Sequence, residues 1–256
     1  MHGLAFHART DRGMVRDNNE DAVLCDPVLG LAVLADGMGG YQAGEVASAM
    51  ATVHIAAELA QALPAGVALP GVPVLEQRVR SATENANRAI WQAATDHAGY
   101  SGMGTTVVVA LYAHDTLVLA HVGDSRAYRL RQGQLQQVTR DHSYVQEQVD
   151  AGLLTPTQAL AAPNRNLVTR ALGVENRVTV DVASHALAAG DVWLLCTDGL
   201  TDMLTDADMA ALLALPGNLA HRANALVDAA NARGGRDNIS VILVGPHAGH
   251  ADPALL

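Results

Sequence analysis

Leu31-Ala32-Val33-Leu34-Ala35-Asp36-Gly37 decides the reading of this chain: an apolar run that stops on a carboxylate and a glycine. Val192-Trp193-Leu194-Leu195-Cys196-Thr197-Asp198-Gly199 repeats the pattern far downstream. Short continuous apolar runs bounded by turn signals read as buried strands. Asp237 sits just before the apolar run that starts at Ile239, and Asp124 closes Leu117–Val122 through Gly123. Glu20-Asp21 opens another run, Ala22–Cys25. A carboxylate at the end of a buried strand is costly to desolvate unless a partner or a metal holds it. An Asp-Gly turn explains any one of these positions, but it does not explain Asp36, Asp198 and Asp237 together. The donors are all oxygen, with no His or Cys at metal spacing, which suits Mg²⁺ or Mn²⁺ rather than zinc. A bare glycine at 37 lets its carbonyl approach an ion as a further ligand. Arg16 beside such a centre would complete a place for phosphate.

Outward from these runs the chain alternates between two periods. Gly3–His7, Ala22–Cys25 and Leu31–Ala35 read as short strands, with Asp26-Pro27 marking a corner. From Tyr41 to Ala62 the period becomes helical, with Val46, Met50, Val53, Ala57 and Ala60 on one face. Pro64 to Pro73 reads as a loop, and a second helix runs from about Val74 to Ala98 with Val79, Ala82, Ala86, Ala89 and Ala93 aligned. Strands return at Thr105–Tyr112, Thr116–Val122, Arg126–Arg131 and Leu135–Thr139, with hairpin-length joints that predict antiparallel neighbours. Residues 141–165 carry two short helical segments, Tyr144–Ala151 and Thr155–Ala161, and read as a flap over one end of the sheet. Val178–Ser184 and Asp191–Cys196 are further strands, Asp206–Leu213 and Leu219–Ala232 helices, and Asn238–Val244 the closing strand. The pattern predicts one α+β layered domain over 1–245 and a loose tail over 246–256.

Composition narrows the function. Sixteen arginines and no lysine face 26 acidic residues, a net charge of −10. That balance argues against an electrostatic grip on nucleic acid or an anionic membrane. The missing lysine excludes Schiff-base and P-loop chemistry. Cys25 and Cys196 share no CxxC spacing and read as buried thiols of a reducing compartment. No signal peptide is visible, and Ala43–Leu63 is too polar to span a bilayer. A cytoplasmic protein is expected. Trp91 and Trp193 both sit in apolar patterns and are read as core.

Several motifs follow in chain order. The first are Arg16-Asp17-Asn18-Asn19-Glu20-Asp21-Ala22, then Ala35-Asp36-Gly37-Met38-Gly39-Gly40 with Gly44-Glu45, then Ser101-Gly102-Met103-Gly104-Thr105-Thr106. Val122-Gly123-Asp124-Ser125-Arg126, Thr139-Arg140-Asp141-His142-Ser143, Thr169-Arg170-Ala171-Leu172-Gly173, Thr197-Asp198-Gly199-Leu200 and Gly235-Arg236-Asp237-Asn238 come after them. Their order and spacing, over roughly residues 4–245, resemble the metal-dependent protein phosphatases (the PPM or type-2C family), especially its stand-alone bacterial members. The resemblance implies an α-β-β-α sandwich of two antiparallel sheets flanked by helix pairs. It implies two or three Mn²⁺ or Mg²⁺ ions. Asp36 would bridge two of them, with the Gly37 carbonyl beside it, and Asp198 and Asp237 would hold the second. Glu20 and Asp21 would act through water, and Asp124 would help hold a third, weaker ion. Arg16 matches the phosphate-binding arginine.

The implied reaction is hydrolysis of phosphoserine or phosphothreonine by direct attack of a metal-bridging hydroxide. The substrates would be phosphorylated proteins, with a bacterial Ser/Thr kinase opposing the enzyme, and a monomer is expected. Two positions depart from the pattern. Met38 stands where eukaryotic relatives carry histidine after Asp-Gly, and Ala162-Pro163-Asn164-Arg165 replaces the flap's frequent His-Pro-x-Arg. The general acid is thereby unassigned, with metal-bound water as the fallback; His121 and His142 are substitutes, each weighed against the reading of a structural or solvated histidine. A catalytically silent binding module is the reading from another class. It requires loss of Asp36, Asp198 or Asp237, and all three are present.

Overall fold

The computed structural model describes residues 3–39, 43–160 and 162–246. Strands β1 (Leu4–Asp11), β2 (Asp21–Asp26) and β3 (Leu31–Met38) precede a helix pair, α1 (Ala43–Ala62) and α2 (Val72–Asp96). Then come β4 (Gly104–Thr105), β5 (Val107–Ala113), β6 (Thr116–Val122), β7 (Arg126–Arg131) and β8 (Gln134–Gln137). The flap contributes α3 (Tyr144–Asp150) and α4 (Pro156–Leu160). Strands β9 (Asp181–Ala186) and β10 (Val192–Cys196), helices α5 (Asp198–Thr201), α6 (Asp206–Leu213) and α7 (Leu219–Ala232), and β11 (Ile239–Pro246) complete the chain. One sheet has the order β1-β11-β10-β7-β8; the other is β2-β3-β5-β6-β9, with β4 added against β3. All pairings are antiparallel.

The alternation of side chains along each strand sorts the apolar residues into separate cores. On β3, Leu31, Val33 and Ala35 pack against α1 and α2, while Ala32 and Leu34 face the other sheet. On β10, Val192, Leu194 and Cys196 pack with the α6–α7 layer, while Trp193 and Leu195 enter the space between the sheets. Both faces of the central strands are covered, so they read as continuous apolar runs rather than as alternating ones. The result is the α-β-β-α sandwich expected of the resemblance.

The hairpin joints carry the conformations that their lengths demand. Gln132 and Gly133, at φ 51° and 77°, form the tight turn between β7 and β8, as a two-residue loop requires.

Some expectations need correction. The inward stripe of α1 is Ala43, Ala47, Ala51, Ile55 and Leu59, not the run through Val46 and Met50, and Val53 is exposed. The choice of bulkier residues mis-phased the helix; small alanines are what let α1 approach α2 and the sheet closely. Trp193 is buried as expected, but Trp91 is only half-buried, because it lies one residue past the inward stripe that ends at Ile90. Strand β9 starts at Asp181, three residues beyond the expected start at Val178, because pairing with β6 begins at His121↔Asp181. Val178 and Val180 instead pack as loop residues against the α1–α2 core. The closing strand reaches Pro246, and most of the expected tail, 247–256, lies outside the described residues. Among the described residues no helix is long and apolar enough to cross a membrane.

Candidate active site

Antiparallel pairing brings the carboxylates to one end of the sandwich. Asp21 at the start of β2 stands directly across the ladder from Asp36 near the end of β3. In the other sheet Asp198 follows the end of β10 and Asp237 precedes β11, its antiparallel neighbour. Thr197 couples the two sheets: its hydroxyl donates to Asp21 Oδ2 at 3.1 Å and accepts from the Ser240 amide at 3.0 Å. Arg16, Glu20, Asp36, Gly37, Asp124, Asp198 and Asp237 all line one cleft of about 250 Å³. Asp21 lies behind it. The residues singled out from the sequence therefore converge.

Backbone contacts make the cleft rigid. The Asp36 carbonyl accepts from the Thr106 amide at 2.9 Å and the Thr105 hydroxyl at 2.8 Å. The Gly37 amide donates to the Glu20 carbonyl at 3.1 Å. A Cβ on Gly37 would run into the Gly44 carbonyl oxygen and lie 2.6 Å from that of Glu20. Only glycine fits, so Gly37→Ala is expected to cost about 2 kcal/mol or more. Urea unfolding of the variant measures this; an unchanged midpoint would show that the loop yields.

The charges oppose one another. Burial, then Asp21 and the other carboxylates around it, holds the Asp36 carboxyl well above its ordinary range. Burial, then Asp124 and Asp237, does the same to Asp198. Burial lifts Asp21 to about 7, partly offset by the hydroxyls of Ser240 and Thr197. Asp124 rises to about 6 through burial and the nearby Asp141, and burial also raises Glu20 against the pull of Arg16. Asp36 and Asp198 show part of their surface to the cleft, yet the surrounding medium is one in which a bare negative charge is poorly solvated. Asp21 Oδ1 is buried without a hydrogen-bond partner. An all-oxygen cluster of buried, mutually repelling carboxylates with an orphaned oxygen fits hard divalent cations.

Arg16 is half-exposed at the cleft, its guanidinium 2.7 Å from Asp237 Oδ2. One donor of its fork is thus committed to a carboxylate. Asn238 is a positioning residue that the sequence reading passed over. Its side chain accepts from the Glu20 amide at 2.8 Å and donates to the Arg12 and Asn18 carbonyls at 2.9 and 2.8 Å. It pins the whole Arg12–Glu20 loop to β11. Its place beside Asp237 was the available signal. Asn166 and Val168, just after the flap helices, also line the cleft, whereas neither His121 nor His142 does. Their ring nitrogens are engaged instead with the Arg140 carbonyl, the Gly123 amide and Arg170.

The sequence model of the family described as "Protein phosphatase 2C" matches residues 12–232. This chain belongs to the protein phosphatase 2C family. It is 39% identical over 239 residues to the serine/threonine phosphatase stp of Listeria monocytogenes, covering 92% of this chain and 93% of that protein. The crystal structure of the Mycobacterium tuberculosis serine/threonine phosphatase PstP/Ppp superimposes with a TM-score of 0.87 at 38% identity, over 95% of this chain and 98% of that one. A second structure, the catalytic domain of PstP in complex with 2 manganese ions, gives a TM-score of 0.82 at 38% identity over the same shares. Membership of the protein phosphatase 2C family makes this chain a metal-dependent serine/threonine phosphatase.

Proposed function

We propose that this metal-dependent serine/threonine phosphatase hydrolyses phosphoserine and phosphothreonine in proteins at the carboxylate cleft, reversing the work of a Ser/Thr kinase. The observation that carries the reading is the convergence of Asp36, Asp198, Asp237, Glu20 and Asp124 with Arg16 at one end of both sheets. Asp36 and the Gly37 carbonyl, with Asp198 and Asp237, are the residues to hold two Mn²⁺ or Mg²⁺ ions. Glu20 and Asp21 would act through water, and Asp124 would help hold a third, weaker ion. When bound, such ions lower the pKa of water toward neutrality and neutralise phosphoryl charge. The arginine at 16 supplies a fork for a phosphoryl oxygen and orients phosphorus for in-line attack. The bond from phosphorus to the serine or threonine oxygen breaks as one to a water oxygen forms. With no histidine among the described residues that line the cleft, water would give the proton to the departing alkoxide.

Cys25 and Cys196 take no part: burial pushes their thiols up to about 11 and about 12, the reverse of what a nucleophile requires. The flap, 141–165 in the sequence reading, borders a second cavity of about 580 Å³ that also reaches Asp124 and Asp198. Residues flanking the phosphorylated side chain are placed there. One chain supplies the residues assigned to the cleft, in keeping with a monomeric enzyme, and a cytoplasmic location is part of the same proposal.

Release of phosphate from a phosphothreonine peptide with Mn²⁺, compared with EDTA, tests the reaction. Metal-independent release, or none from folded protein, would overturn it. Arg16→Ala is expected to lose about 2 kcal/mol of transition-state binding, about 30-fold in kcat/KM. Inhibition by inorganic phosphate should weaken in parallel. A variant with undiminished phosphate inhibition would remove Arg16 from the phosphate site.

A further inference from the structure

Behind the cleft lies a polar cluster that the proposed reaction does not use: His121, His142 and Asp181, whose ligand-type atoms all lie within 4.8 Å of one another. Its composition suggests a metal site, but its geometry opposes one. The two imidazoles are stacked, 4.7 Å between centroids and 10° between planes. Lone pairs in nearly parallel planes do not converge on a single ion. His121 Nε2 faces the Arg140 carbonyl at 2.8 Å, and the Arg170 guanidinium lies 2.9 Å from His142 Nε2. A cation already holds the place a metal would take.

The hydrogen bonds of His142 point elsewhere. Its Nδ1 accepts from the Gly123 amide at 3.0 Å, and its own amide donates to the Gly123 carbonyl at 2.9 Å. An N–H donor aimed at Nδ1 requires a lone pair there, whereas the Arg170 nitrogen beside Nε2 has two other acceptors for its hydrogens, the Thr179 carbonyl at 3.2 Å and Asp181 Oδ1 at 3.0 Å, so the neutral ring keeps Nδ1 free and carries its proton on Nε2. That proton faces Asp181 Oδ2 at 3.3 Å, and Arg170 holds the other oxygen of Asp181 at 3.0 Å. The residue gripped in this way sits in a left-handed conformation, φ +104°, with no room for a side chain against Thr106. The next residue is Asp124.

We propose that His142, fixed in the Nε2–H tautomer by Asp181, is a positioning residue that sets the Gly123–Asp124 turn and thereby the geometry of the Asp124 carboxylate toward its ion. This rests on the assignment of Asp124 as an ion ligand. Partners that orient a metal ligand typically change affinity 10–100-fold when removed. The chemistry gives an unusual ranking of substitutions. Asparagine places an acceptor oxygen where Nδ1 stood and keeps the Gly123 bond. Glutamine places its amide where Nε2 stood and loses that bond while keeping reach to Asp181.

The test is calorimetric titration of Mn²⁺ into H142N, H142Q and D124A, each first checked for a wild-type thermal melt, together with ¹⁵N imidazole shifts of the wild-type protein. The weakest Mn²⁺ phase is expected to disappear in D124A and to weaken about tenfold in H142Q, but to stay within about threefold in H142N. The shifts are expected to show an unprotonated Nδ1 and a protonated Nε2. If D124A titrates like wild type, the ion assignment fails and the proposal with it. If D124A loses the phase while H142N and H142Q behave alike, or if Nδ1 carries the proton, the positioning role alone is overturned.

Discussion

Asp36→Asn is expected to lower phosphatase turnover at least about 1,000-fold, about 4 kcal/mol in the barrier, while raising the stability of the metal-free protein. The two effects share one cause. Asp36 lies opposite Asp21 on the β2–β3 ladder and faces Asp198, Asp124 and Asp237, so its charge is unwelcome until cations arrive. An amide keeps the shape and an oxygen but removes the charge that would hold the ions. Relief of that buried repulsion is expected to stabilise the metal-free fold by about 1 kcal/mol, the scale of an ordinary single substitution. In a chain of this size that is a rise of about 2–4 °C in Tm with EDTA present. Steady-state hydrolysis of a phosphopeptide and a thermal melt in EDTA read the two halves. Turnover above about a tenth of wild type would remove Asp36 from the metal centre, and an EDTA melt below wild type would show that the carboxylate supports the fold.

The second large effect is the pH dependence of metal stabilisation. Asp21 is raised to about 7, Asp124 to about 6, and Asp36 and Asp198 well above their ordinary range. An acid with a raised folded-state pKa keeps a proton that the unfolded chain releases. Its stabilising contribution is present at low pH and is lost as pH rises from about 4 through the folded value. The metal-free protein is therefore strained most at neutral pH and above. Divalent ions need the deprotonated carboxylates, so their binding expels those protons and strengthens as pH rises. The Tm increment from saturating Mn²⁺ over EDTA is expected to grow between about pH 5.5 and about pH 7.5.

His121, His142 and His185 have lowered values through burial and act in the opposite direction, gaining stability as pH rises toward about 6.5. Comparing melts with and without metal at each pH cancels them. Paired carboxylates such as Asp191, held low by Arg131 against the cost of burial, contribute only in stronger acid. A metal increment that is flat across this range would show that the cluster carries no displaced protons.

Much of this was legible in the chain itself. Strands buried on both faces must be continuous apolar runs, so Leu31–Ala35 and Val192–Cys196 announced themselves, and the Asp-Gly pairs marked where they stop. Hairpin-length joints predicted antiparallel neighbours, and the neighbours are antiparallel. Local signals failed where they carried too little contrast. The alanines of α1 are apolar all round, so the phase of the helix was set by contact with α2 and β3 rather than by its own sequence. Trp91 and the start of β9 went the same way, because each depended on a partner element.

The sequence by itself determined the strand ends, the acidic residues beyond them and the absence of any lysine or paired-cysteine chemistry. These are properties of neighbouring residues and of composition. Tertiary structure alone decided that Asp21 and Asp36 stand across one ladder, that Thr197 stitches the two sheets at that edge, and that Asn238 pins the Arg16 loop to β11. It also decided that His121 and His142 stack behind the cleft instead of entering it. Such relations join residues up to 226 positions apart. Burial and electrostatic repulsion act on distance in space, and only the folded chain sets that distance.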